Sequence, residues 1–320
     1  MFTLLSSAAR GSLTFVLPAF LLNRHTGGTV SARYCYSVFL RHLTLRSRAG
    51  FDEMPQTVAE LGPGDSIGIG LAALIAGAEQ YFGLDVKQFA VGTTNLAVFD
   101  ELVTLFSRRT PIPGDGEFPG VRPELAECAF PDDLLTKDRL NAALDPRRLA
   151  RLRAAITVPD SVVRYMAPWH RSSVIRHNSI DWILSQAVLE HVDDPKDTYR
   201  ACFEWLKPGG TMSHQIDYTA HGCAQPWNGH LGYSDMTWTL VRGKRAYWLN
   251  RDGHSRHLEK VVRQGFSVLL SQPEFRDGGI RASELAPVCG HFSEEDLRIA
   301  GCSMVAVKNA GVGSCQTQTS

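Results

Sequence analysis

The sequence predicts an α/β fold with a mostly parallel central sheet, on three observations. From residue 51 onward, short β-branched or aromatic runs alternate with Ala- and Leu-rich helical stretches, as strands and crossover helices do in a parallel sheet. The first strand-like run ends in Gly62-Pro63-Gly64 and leads straight into a helical pattern. Acidic residues, Glu60 and Asp85, stand at the ends of the first two strand-like runs, the edge at which open α/β sheets bind ligands.

At 320 residues the chain can form one large domain, or one domain with substantial additions. Its 44% apolar and 21% charged residues suit an ordinary globular protein. Lys plus Arg and Asp plus Glu number 33 each. No basic excess asks for nucleic acid, and none is expected as a partner. The seven cysteines show no CxxC spacing, which points to reduced thiols and a cytoplasmic location rather than a zinc knuckle or disulfide framework.

Up to residue 50 the chain is apolar and basic, with no Asp or Glu. Its apolar run at 13–22 is too short to cross a bilayer and contains Pro18, so no membrane span is expected. An Arg-rich, acid-free start suits an organelle transit peptide better than a secretory signal. The favoured reading is a helical extension over 1–50, with a helix at 34–45, packed on the domain that follows.

Strands are expected at 57–61, 81–86, 162–166, 181–185, 211–218, 265–270 and 303–308. Helices are expected at 67–80 and from the fourth strand to about residue 206. Residues 92–157 are too many for a plain loop. With helical stretches at 96–106 and 137–156 around a Pro/Gly-rich loop at 111–123, they read as a helical insertion near the site. The domain is set at 51–310, with a flexible tail at 311–320.

The glycine turn reads Glu60-Leu-Gly62-Pro63-Gly64-Asp-Ser-Ile-Gly68. Glycines allow positive φ and close approach of a ligand, and the helix start behind them offers unpaired N–H groups. The spacing is GxGxxxG, not the GxGxxG of the nicotinamide fingerprint. A carboxylate at Glu60 would repel a pyrophosphate; it suits a ligand carrying an ammonium group, as adenosylmethionine does. Asp85 can accept both hydroxyls of a ribose.

The segment ELGPGDSIGIG resembles motif I of the class I S-adenosylmethionine-dependent methyltransferases, and GLDV resembles their ribose-binding strand. Residues 179–194, with Asp181, Ser185, Glu190 and His191, resemble the family's fourth-strand segment, and LKPGG at 206–210 resembles the turn before its fifth strand. The four motifs keep the family's order across about 160 residues. The resemblance implies a Rossmann-like sheet of seven strands, S-adenosylmethionine as cofactor and methyl transfer as activity. It implies that Glu60, Gly62, Pro63 and Gly64 line the methionine half and that Asp85 holds the ribose. Ala167, Pro168 and Trp169 would lie near the adenine, although the family's usual Gly-Asp-Ala wording is missing there. Ser185 and Gln186 would close over the methyl donor. The 1–50 extension and the 92–157 insertion depart from the minimal pattern.

For the acceptor side, methyl transfer needs a positioned nucleophile, a destination for its proton and exclusion of water. His191, His214 and Asp217 are the candidates for this work. His191 has a side chain that titrates near neutrality, although the EHV wording also suits packing of a helix on the sheet. His214 and Asp217 alternate along the fifth strand and face opposite ways. Together with His221 they could ligate a divalent cation, but no metal is expected. The aromatics at 222–250, Trp227, Tyr233, Trp238, Tyr247 and Trp248, read as a partly buried cap. The function expected is transfer to a small-molecule acceptor, at oxygen; a homodimer is compatible with it. The alternatives are a nucleic-acid methyltransferase, a non-catalytic cofactor-binding protein of the same fold, and a nicotinamide oxidoreductase, against which Glu60 argues.

Overall fold

The structure, a computed structural model, describes residues 2–15, 28–90, 92–159, 161–169 and 172–310. Strands β1 (Thr57–Leu61), β2 (Gln80–Leu84), β3 (Val163–Met166), β4 (Ile180–Gln186), β5 (Leu206–Asp217), β6 (Phe266–Phe275) and β7 (Ile299–Lys308) form one sheet in the order β3-β2-β1-β4-β5-β7-β6. The pairs from β3 through β5 are parallel, and β7 is antiparallel to both β5 and β6. The sheet is therefore the mostly parallel, seven-stranded one expected.

Alternate residues of each central strand feed two cores. Val58, Tyr81, Trp182 and Leu184 point into one, against α2 (Ala32–Arg48), α3 (Gly68–Ala76) and α4 (Gly92–Ser107). Ala59, Phe82, Ile183 and Met212 point into the other, against α7 (Pro195–Trp205) and α9 (His254–Arg263). The central strands are covered on both sides, which is why they read as nearly continuous apolar runs.

The first 50 residues divide between two places. Helix α2 lies in the first core, with Cys35, Tyr36, Val38, Phe39 and Leu40 at 0% exposure. Its polar residues are buried too: Arg46 donates to the Thr211 hydroxyl at 3.0 Å and its guanidinium lies 5.8 Å from the Trp182 ring. Helix α1 (Phe2–Leu13) instead packs on α8 (Asp235–Arg242), where Leu4 and Ala8 meet a cluster built on Trp238, Val241 and Leu249. Most of the apolar run at 13–22 and the tail at 311–320 lie outside the described residues.

The helical stretch expected at 137–156 is two helices, α5 (Lys137–Ala143) and α6 (Pro146–Ala155). Asp145 caps α6 by accepting from the Arg148 N–H, and Pro146 takes its first turn, where a missing N–H costs nothing. Helices α4, α5 and α6 lie on the α2 face, and the loop between α4 and α5 reaches the end of β4, where the Arg122 carbonyl accepts from Gln186 Nε2 at 3.3 Å. Residues 218–253 and 276–298 form a cap beyond the ends of β5 and β7. No helix among the described residues is long and apolar enough to cross a membrane.

Candidate active site

The strand order turns over between β1 and β4, the point at which the ligand crevice of an open α/β sheet lies, above the carboxyl ends of the strands. Gly62 and Gly64 carry the chain out of β1 with φ of 65° and 74°. A Cβ at Gly62 would come within 2.6 Å of Val188 Cγ2, just past the end of β4. Bare backbone here leaves the crevice what room it has.

Asp85 directly follows β2 and is 4% exposed. Its Oδ2 accepts from the Gly64 N–H at 3.1 Å and its Oδ1 from the Val86 N–H at 2.7 Å. The carboxylate thus ties the ends of β1 and β2 together. An ionised carboxylate has about four acceptor positions, so capacity for a ribose diol remains. Burial raises its pKa, and the backbone donors oppose the rise.

Glu60 sits behind the turn rather than at its mouth. It is 1% exposed, on the α3 face of β1, and its Oε2 accepts from the Tyr81 hydroxyl at 2.6 Å. Burial pushes its pKa up to about 8, against the pull of Tyr81 and of the Gly70 N–H in the first turn of α3. The later glycines serve packing: a Cβ at Gly70 would overlap the Tyr81 ring, and one at Gly68 the Cys35 thiol.

The residues expected near the adenine border Asp85: the Trp169 N–H donates to the Asp85 carbonyl at 3.0 Å, and its ring meets Trp205 edge-on. Ser185 and Gln186 end β4 as expected, but their side chains turn away to opposite faces. Ser185 Oγ is 2.8 Å from His214 Nδ1, and Gln186 Oε1 is 3.0 Å from His42 Nε2.

Past Val188 the chain makes a short 3-10 turn, Leu189–His191, rather than starting the expected helix, which begins at Pro195 behind an Asp194 cap. Glu190 is 3% exposed, and neither carboxylate oxygen has a hydrogen-bond partner. Its own N–H and that of Asp217 are near enough to pull its pKa down a little, but burial dominates and holds it well above the usual carboxylate range. His191 donates from Nδ1 to the Trp248 carbonyl, and its ring meets that of His221 at 5.1 Å. Burial lowers the His191 pKa, so the neutral ring carries its free lone pair on Nε2. His221 Nε2 lies 3.2 Å from Asp217 Oδ2 at the end of β5. Ala187 and His221 hold φ of 52° and 46°, conformations that cost a non-glycine residue of order 1 kcal/mol or more. A small cavity of about 10 Å³, room for about one water, adjoins this cluster and is lined by Glu190, Asp217, Asn228, His230 and Asn250.

Of the three catalytic candidates, His191 and Asp217 come together and His214 does not. His214 is fully buried beneath the site, beside Tyr199, and burial lowers its pKa to about 3. Asn250 was not singled out from sequence. Its Nδ2 donates to the Leu189 and Val192 carbonyls, and its N–H donates to that of Glu190, pinning the 3-10 turn from the cap. Nothing in the sequence marked it, because its partners lie about 60 residues away. The cap tryptophans pack inward, with Trp227 at 9% and Trp238 at 8% exposure.

Residues 140–213, from α5 to the middle of β5, match the family model described as a methyltransferase domain. Over this segment, which includes β4 and the LKPGG residues at 206–210, the chain is similar to that family. No curated protein matches the chain. Among solved structures, the chain is similar to an S-adenosylmethionine-dependent methyltransferase from Mesorhizobium loti, with 15% identity, 82% of this chain and 95% of that one covered, and TM-score 0.41. It is similar to phosphoethanolamine N-methyltransferase 2 of Haemonchus contortus, in complex with S-adenosyl-L-methionine, with 16% identity, 87% and 56% coverage, and TM-score 0.41. A Haloferax volcanii complex of the Trm112 methyltransferase activator also matches, with 15% identity, 86% and 94% coverage, and TM-score 0.38.

S-adenosylmethionine is the cofactor that the resemblance of the four sequence motifs implies. The residues present suit it: the Asp85 carboxylate keeps acceptor capacity beside the Gly64 N–H, and Gly62 leaves the turn without a Cβ next to Val188.

Proposed function

We propose that this chain methylates a hydroxyl oxygen of a small polar molecule in the cytoplasm, held against Glu190, His191, Asp217 and His221. The observation that carries this reading is Glu190, a buried carboxyl without a hydrogen-bond partner, two residues beyond the Val188 that overlies Gly62. Leaving such a group unpaired costs roughly 1–3 kcal/mol, a cost that an acceptor binding there would relieve. The cofactor supplies an electrophilic methyl group. Gly62, Gly64 and Asp85 hold it at the crevice, with Ala167 and Trp169 bordering its adenine end and the backbone of Ser185 and Gln186, at the end of β4, flanking its reactive end. Asn250 and Trp248 fix the turn that presents Glu190 and His191. The His191 Nε2 lone pair and the Asp217 carboxylate are placed to receive or orient the hydroxyl's proton. The inward-packed tryptophans leave no row of exposed rings on which nucleobases could stack.

The test is incubation with methyl-labelled S-adenosylmethionine and separate panels of hydroxylated small molecules, amines and RNA. Label recovered as a methyl ether, and lost in Asp217→Asn, supports the reading. Label recovered only on nitrogen or on RNA overturns it.

A further inference from the structure

We propose that Glu190, His191 and His221 form a divalent transition-metal site, taking zinc or manganese, on which the acceptor oxygen binds. This rests on the reading of Glu190, His191, Asp217 and His221 as the acceptor side of the site. The trio weighed from sequence was His214, Asp217 and His221, with no metal expected; the fold brings Glu190 and His191 to His221 instead.

Four features converge. One ligand atom from each of the three side chains can be chosen so that all lie within 4.8 Å of one another, close enough for small side-chain adjustments to bring them round one ion at about 2.0–2.2 Å. Glu190 is buried with both oxygens unpartnered. An isolated buried carboxylate is costly, and a cation compensates it directly. Each histidine already has one ring nitrogen committed to an acceptor: His191 Nδ1 to the Trp248 carbonyl, and His221 Nε2 to Asp217 at 3.2 Å. That is how metal-binding imidazoles are oriented by their outer partners, with the second nitrogen left for the ion. Finally, an open groove lined by His221, Gln225, Pro226 and Arg276 shares Thr219 and Trp227 with the small cavity beside Glu190, which provides an entry path.

The donor set selects the ion. Two imidazoles and one carboxylate suit zinc, manganese or iron better than magnesium or calcium, which prefer all-oxygen sets. Three protein ligands leave positions open for an acceptor oxygen. A hydroxyl coordinated there would become more acidic; with the His191 lone pair on the ion, its proton would pass to the Asp217 carboxylate or to solvent.

The experiment titrates the full chain, stripped with a chelator, with Zn2+ alone by calorimetry, and repeats the titration for Glu190→Gln, His221→Ala, Asp217→Asn and, as a surface control, His291→Ala. One ion per chain is expected in the wild type and the control. At least tenfold weaker binding is expected for the two ligand variants, and 10- to 100-fold weaker binding for Asp217→Asn. Co2+ added to the stripped wild type should give visible absorption that His221→Ala loses. Thermal shift with S-adenosylhomocysteine reports in parallel whether each variant is folded and binds cofactor product. No stoichiometric Zn2+ site in the folded wild type, or a site undiminished in folded His221→Ala, overturns the proposal. One zinc bound by a wild type that methylates only nitrogen or RNA leaves the metal site standing and removes the acceptor reading alone.

Discussion

The Tyr81 hydroxyl donates to Glu60 at 2.6 Å inside the core, locking the second strand to the acid that ends the first. The Tyr81 ring fits only because Gly70 has no Cβ. One buried contact thus joins an acid and a glycine of the glycine-rich segment to a tyrosine of the second strand.

Glu60 should make the cofactor-free protein less stable at alkaline pH. Its folded pKa of about 8 exceeds its unfolded value near 4.5, so the folded state holds the proton more tightly. Stability then falls as pH rises from about 4.5 to about 8 and is flat beyond. Glu60→Gln removes that slope. Thermal melts should show the variant equal to wild type near pH 4.5 and more stable at pH 8, by at most about 5 kcal/mol. Parallel melting curves across this range would show that Glu60 is not held protonated.

Glu60→Gln also tests the ammonium assignment. S-adenosylhomocysteine, which carries an ammonium group, should lose more affinity than adenosine, which does not. Equal losses by calorimetry would assign Glu60 to the architecture of the turn alone.

Asp85→Ala should weaken S-adenosylhomocysteine binding by about 1.5–3 kcal/mol, the scale of a hydrogen bond to a charged group. Because Asp85 also accepts from the Gly64 and Val86 N–H groups, the melting temperature without ligand should fall too. Unchanged affinity would show that the carboxylate only braces the two strand ends.

Gly70→Ala should destabilise the protein by about 1–3 kcal/mol, the range for overpacking, since its Cβ would overlap a Tyr81 ring that cannot swing away without breaking the Glu60 bond. Denaturant titration measures this. A neutral result would show that α3 can slide on β2.

Acid should unfold the protein early. His42, His214 and His257 are fully buried, and burial lowers their pKa values to about 4, 3 and 4. A depressed histidine pKa means that the unfolded state binds more protons below the unfolded value near 6.5, so stability falls as pH drops from there toward 4. Three such groups give a slope of about 4 kcal/mol per pH unit at its steepest. His214→Gln should make that slope shallower, read from denaturant midpoints at pH 6, 5 and 4.5; an unchanged slope would show that His214 is solvated.

Much of the fold was legible in the chain because local signals agreed with it. Thr57–Leu61 is the strand expected, and the Gly62 and Gly64 turn takes the positive φ that glycine permits. The strand at 206–217 starts earlier than expected because the LKPGG turn pairs with the end of its neighbour through Leu206 and Ile180, a contact no local pattern announces. The break between α5 and α6 was readable in principle, since Asp145-Pro146 is a start signal within the helical run.

The sequence by itself determined the sheet and the place of the glycine turn and of Asp85 at its strand ends, because strand periodicity, glycine turns and strand-end acids are local properties of the chain. Only the tertiary structure decided the fate of α2, a helix with buried arginines that joins the core, and of Glu60, drawn behind the turn by Tyr81 from the neighbouring strand. It likewise decided which histidines share a site. His214 and His221 are seven residues apart on one connected stretch, yet the first is buried under the sheet while the second meets His191, 30 residues upstream, above it. Strand direction and the return of the cap bring those rings together, and neither is encoded in spacing along the chain.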